Sequence, residues 1–211
     1  MAEIKTDYLQ NPLTTYLERL ASKDPVPGGG SAGALSLSLS AALLSMVANF
    51  TIGKKRYLEF EAEAKEILKR TEAIRQEAAQ LAEEDSVAYL QYRRAAEMDK
   101  EAPGRQEALI AATGAGNKIL LRTAELSRQV LNLAKPLLEK GNPYLLSDVA
   151  CAVSLARSAF EMAEINILIN LSGGLNLPEA SKINESLRAL RRAVISESEE
   201  ILIEVKRKLS S

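Results

Sequence analysis

The 211-residue chain contains no histidine, no tryptophan and a single cysteine, Cys151. Without histidine there is no imidazole base and no His-ligated metal. One cysteine adds too little thiolate for a zinc or iron–sulfur site, so neither a metal nor another cofactor is expected. Proton transfer, if the chain performs any, falls to Asp, Glu, Lys, Tyr or the backbone. A lone cysteine also excludes an intrachain disulfide and fits a cytoplasmic chain. Residues 1–11 are mixed and polar, unlike a secretory signal. The net charge of −1 removes any global attraction to nucleic acid or anionic lipid, and neither is expected as a partner.

What is present is aliphatic and small. Hydrophobic residues make up 46% of the chain but aromatics only 4%, a palette that favours closely packed helices. Apolar periodicity predicts helices over about 12–21, 31–52, 56–98, 106–140, 143–171 and 178–208. The breaks fall at "APG" (102–104), "KGNP" (140–143) and "SGGLNLP" (172–178). No stretch alternates with period two for long enough to suggest a sheet. The expected fold is all-α: one domain over 1–211, an antiparallel bundle of about six helices joined by short connections.

The stretch "DPVPGGGSAGALSLSLSAALLSMVANFTIGKKRY" (24–57) has about twenty uncharged residues between a glycine run and a basic cluster. Length alone would suit a membrane span, but five serines, Asn49 and Thr51 interrupt it, so a buried central helix with a small-residue seam is expected. Gly28, Gly29 and Gly30 then form a loop entering a helix N-terminus, with Ser31 as its expected cap and N–H groups able to hold an anion or a carbonyl. "IGKK" (52–55) and "TGAGNK" (113–118) both fail the spacing of a phosphate loop. The second is read as close helix packing. Lys54, Lys55 and Arg56 form either a solvated turn or a seat for a multiply carboxylated or phosphorylated ligand.

On the third helix an apolar seam runs through Tyr57, Phe60, Ala64, Ile67, Thr71, Ile74, Ala78 and Leu81 to Ala88 and Tyr92, interrupted by Asp85. A carboxylate there must be wet or paired. Either the seam meets solvent at Asp85 or it opens onto a polar cleft. The fifth helix carries Asp148 near its start, where it or Ser147 could cap the helix, and Asn166 and Asn170 near its end. Asp148 and Asn166 share an azimuth but stand about 27 Å apart, so they serve opposite ends of a long groove or meet across a subunit interface. Cys151 is expected in the core.

"DPVPGGGSAGAL", "MVANFTIGKKRY", "EEDSVAYLQY", "GNPYLLSDVACA" and "INILINL" together resemble the formiminotetrahydrofolate cyclodeaminase / methenyltetrahydrofolate cyclohydrolase family, over about 12–205. The connection at 97–106 is shorter than is usual there and lacks a Leu-Pro. The resemblance implies an all-α homodimer that takes a tetrahydrofolate derivative as substrate, bound in a groove at or near the subunit interface. It implies Asp148 as the catalytic carboxylate. It implies substrate contacts from Gly28, Gly29, Gly30, Ser31, Lys54, Lys55, Arg56, Tyr57, Asp85, Asn166 and Asn170, the basic cluster facing the glutamate tail. A non-catalytic dimer of the same fold, binding folate or a protein, is the alternative.

Overall fold

The computed structural model describes residues 7–210. Among them are six α-helices: α1 (Leu13–Leu20), α2 (Gly29–Thr51), α3 (Glu61–Ala96), α4 (Arg105–Lys140), α5 (Leu146–Ser172) and α6 (Ala180–Leu209), with no strand among the described residues. The expected starts at 56 and 143 fall in short 3-10 turns, Lys55–Phe60 and Pro143–Leu145, and Tyr57 has non-helical dihedrals. Helix ends carry charge that suits the macrodipole: Glu61 and Glu63 open α3, and Arg93 and Arg94 close it. Gly104, at φ 82°, turns the chain into α4 through a conformation that suits glycine.

α2 lies at the centre, against α3, α4 and α5, while α6 covers α4 and α5. Its small residues set the spacing. Ser45 Oγ donates to Thr71 Oγ1 (2.8 Å), Ser38 Oγ to the Arg75 carbonyl (2.9 Å) and Ser40 Oγ to the Ala152 carbonyl (2.5 Å). A Cβ on Gly33 would lie 3.1 Å from Met162 Cβ. These hydroxyls satisfy their own buried polarity while letting neighbouring backbones approach. The run that resembles a membrane span by length and composition is thus a core helix of the bundle.

The pairings also give direction. α2 residues 31, 38 and 45 meet α3 residues 85, 75 and 71, so the helices run antiparallel. Glu77–Arg122 and Glu63–Lys140 show the same for α3 and α4. Gly33 and Ser40 of α2 face Met162 and Ala152 of α5, again antiparallel. One end of the bundle therefore collects the start of α2, the last third of α3, the first half of α4 and the end of α5. The other end collects the end of α2 and the start of α5.

Two expectations are corrected. Ser31 is not the cap of α2: the helix begins at Gly29 with Gly28 as N-cap, and the Ser31 side chain is buried in the first turn beside Tyr16 (Oγ to Oη, 3.2 Å). Cys151 is exposed rather than buried, because α5 turns that face away from α2 and α4.

Candidate active site

At the first end of the bundle the helices leave a cavity of about 490 Å³. That size suits a small bicyclic ligand. Gly28, Gly29 and Gly30 form one wall with Pro25 and Val26; Asp85, Tyr89 and Tyr92 of α3 form another. α4 contributes Thr113 and Gly116, and α5 contributes Asn166, Ile169 and Asn170. Among the lining residues Asp85 is the only charged one, and none is basic.

Asp85 is the electrostatic centre. Its carboxyl opens partly to the cavity, while the rest of the group is surrounded by protein. Burial pushes its pKa up to about 6, opposed by the Ser31 backbone N–H, which donates to it. The seam of α3 therefore opens onto a polar cleft rather than ending in solvent.

The glycines make this possible. A Cβ on Gly30 would sit 2.6 Å from the Asp85 carboxyl carbon, and one on Gly29 would sit 3.3 Å from Asn166 Nδ2. Only glycine lets the start of α2 approach both side chains. The first-turn N–H groups of α2 have no intrahelical partner and point out of the helix end. Behind Asp85 the N-terminal segment seals the site. Tyr8 Oη donates to Ser86 Oγ (3.0 Å), and its ring packs edge-on to Tyr16 at 5.1 Å.

The two asparagines differ in how they are held. Asn166 Nδ2 donates to the Met162 carbonyl (2.8 Å), an acceptor only, which fixes the orientation of the amide. Asn170 Nδ2 donates to Asn117 Oδ1 (2.8 Å). Asn117 is fully buried, yet its Nδ2 has no partner, and neither has the buried Thr113 hydroxyl. Leaving such a group unmet costs about 1–3 kcal/mol.

Tyr89, Tyr92, Thr113, Gly116 and Asn117 do not stand out as site residues in the sequence, where "TGAGNK" reads as close packing. Yet added Cβ atoms at Gly114 and Gly116 would meet nothing within 4 Å, and Gly116 lines the cavity. A signal does lie in the spacing: 85, 88, 89 and 92 share one face of α3, and 113, 116, 117 and 120 one face of α4.

The remaining expected site residues are elsewhere in the chain. Lys54, Lys55 and Arg56 are exposed at the far end of α2. Tyr57 reaches Asn142, just before α5 (Oη to Oδ1, 3.5 Å). Asp148 lies in the first turn of α5, at that same end. The 23 residues of α2 place about 34 Å between the two ends. Within one chain these five residues do not line the cavity, because α2 holds its ends apart; this matches the wide separation expected between Asp148 and Asn166. No group of three metal-ligating side chains is found among the described residues.

The profile of the formiminotransferase-cyclodeaminase family matches residues 12–189. A methenyltetrahydrofolate cyclohydrolase of Methylorubrum extorquens is 35% identical over 165 residues, covering 76% of this chain and 79% of that one. A formimidoyltransferase-cyclodeaminase of Sus scrofa is 27% identical over 77% of this chain, which spans only 31% of its length. The crystal structure of formiminotetrahydrofolate cyclodeaminase from Thermotoga maritima superposes with a TM-score of 0.87 at 25% identity, covering 95% of this chain and 98% of that one.

Proposed function

The chain belongs to the formiminotransferase-cyclodeaminase family, and we propose that it is an enzyme acting on the one-carbon unit between N5 and N10 of tetrahydrofolate, with Asp85 as the proton carrier. The reaction is that of a methenyltetrahydrofolate cyclohydrolase or a formiminotetrahydrofolate cyclodeaminase. The relative at 35% identity favours the first. One observation carries this reading: a single carboxyl group, held at about 6 by burial, faces a cavity with an aromatic rim and no basic group. A group titrating near neutrality can both take and return a proton, and its anionic form suits a cationic amidinium.

In the cyclohydrolase, the Asp85 carboxylate takes a proton from water as the water oxygen bonds to the methenyl carbon. Cleavage of the carbon–N5 bond then returns that proton to N5. The remaining hydroxyl proton leaves to solvent as 10-formyltetrahydrofolate forms. In the cyclodeaminase, N10 attacks the carbon of the protonated formimino group. Asp85 takes the N10 proton and delivers it to the NH2 of the tetrahedral intermediate, and ammonia leaves as the carbon–nitrogen bond breaks to give the methenyl cation. In the cyclohydrolase the Gly29 and Gly30 N–H groups at the start of α2 offer donors to the oxygen on the attacked carbon, while that of Ser31 holds Asp85. Tyr89 and Tyr92, 47% and 39% exposed at the rim, offer ring faces to the aromatic parts of the ligand.

Within one chain Asp85 is the carboxylate at the cavity, and the Asp148 implied by the family resemblance lies at the other end of the bundle. Asp148 and the basic cluster take part across a homodimer. Leu39 and Phe50 of α2 and Ile165 of α5 are more than half exposed, apolar area that suits a second copy. A two-fold partner packed with antiparallel α2 helices lays its Lys54–Tyr57 and Asp148 end beside this cavity, where the cations meet the glutamate tail. The exposed Cys151 suits a reducing cytoplasm.

The test is spectroscopic. Methenyltetrahydrofolate mixed with the protein should lose its near-ultraviolet band, or formiminotetrahydrofolate should gain it with release of ammonia. Tight folate binding with neither change would instead identify a non-catalytic binding protein.

A further inference from the structure

Thr113 lines the cavity from α4 and Asn117 lies one turn further along, behind the lining; they are 6% and 0% exposed, and their hydroxyl and amide nitrogen are both unpartnered. Buried polar groups in a folded core normally find partners. Asn117 is also bonded to Asn170, which lines the cavity from α5. A hydroxyl and two amides are thus gathered at the inner wall with bonding capacity to spare and no charge. Within one chain this inner wall offers no cation to an acidic ligand group, because no Lys or Arg lines the cavity. The same wall carries apolar Leu120, Ile169 and Leu175, which suit a flat ring.

Neutral amides and hydroxyls both donate and accept. Their natural complement is an edge that also presents a donor beside an acceptor without charge: a lactam, C=O next to N–H. Resting on the folate reading above, we propose that Thr113, Asn117 and Asn170 form a neutral hydrogen-bonding subsite that reads the lactam edge of the substrate's bicyclic ring. Thr113 and Asn170 touch the ring edge, and Asn117 is a positioning residue that orients the Asn170 amide. Asp85, on the opposite wall, is thereby left to the one-carbon unit.

The test compares tetrahydrofolate with 4-amino-4-deoxytetrahydrofolate, in which the lactam carbonyl is replaced by an amine, by anaerobic calorimetric titration of the full chain. The wild-type protein should prefer the lactam ligand by about tenfold or more, since mismatched buried donors and acceptors discriminate strongly. Thr113→Val and Asn170→Ala should each weaken tetrahydrofolate binding by about tenfold and reduce the preference to under about threefold. Thr113→Ser should restore it. Thr113→Val should also raise the unfolding midpoint of the free protein, because it removes a buried hydroxyl with no partner. Unchanged preference in both variants, or an equal loss for both ligands, would overturn the subsite. Failure of the wild-type protein to bind either ligand would overturn the folate reading itself.

Discussion

Asp85 is a residue whose burial costs stability and, in the function proposed above, serves the chemistry. Its carboxyl is raised from 3.8 to about 6 in the folded protein. Between those values the folded state binds more protons than the unfolded state, so stability is full below pH 3.8 and is lost as pH rises through about 6. A rise of that size corresponds to at most about 3 kcal/mol. Asp85→Asn should therefore raise the unfolding midpoint at pH 7–8 by a few degrees, on the order of 5 °C, and the gain should vanish below pH 4 in calorimetric scans. The same variant should lose most turnover. Gly30→Ala should lose activity as well, because the methyl group would press into the Asp85 carboxyl group. Asp85 is legible in the sequence as the one carboxylate on an apolar seam. Thr113 and Asn117 are not, because ordinary polar residues in a helix give no sign of being buried without partners.

At the scale of the element, helix content and the breaks between helices follow from periodicity and turn residues. The starts of α3 and α5 do not, because Tyr57 and Pro143–Leu145 form 3-10 turns whose side chains continue the apolar pattern. α2 and α4 use glycine differently. Gly33 is a packing residue: Gly33→Leu would drive a side chain against Met162 and the Ala159 carbonyl and should cost about 1–3 kcal/mol in denaturant melts. Gly114 faces open space within a helix. Gly114→Ala should thus stabilise the protein by about 0.5–1 kcal/mol without changing turnover. Gly116 lines the cavity, so Gly116→Leu should raise KM by filling it.

At the scale of the molecule, a straight central helix separates the cavity from the basic cluster and Asp148. This separation is readable along α5, where Asp148 and Asn166 are five turns apart. It applies equally to α2, whose glycine loop and lysines were expected to share a ligand. What no single chain reveals is which surfaces a second copy brings together. If a site takes Asp85 from one subunit and Asp148 from the other, inactive Asp85→Asn and Asp148→Asn variants should complement each other. In a mixed dimer one site carries both changes and the other carries neither. Random mixing should recover about a quarter of wild-type activity. No recovery on mixing would confine each site to one subunit or exclude Asp148 from it.

The most direct test of the central claim is the pH dependence of kcat/KM for loss of methenyltetrahydrofolate, measured for the wild-type protein and for Asp85→Asn. With Asp85 as the base, the wild-type value should rise with pH through an inflection near 6. Asp85→Asn should run at least about a hundredfold slower and lose the inflection. A wild-type rate in Asp85→Asn, with the inflection retained, would contradict the assignment.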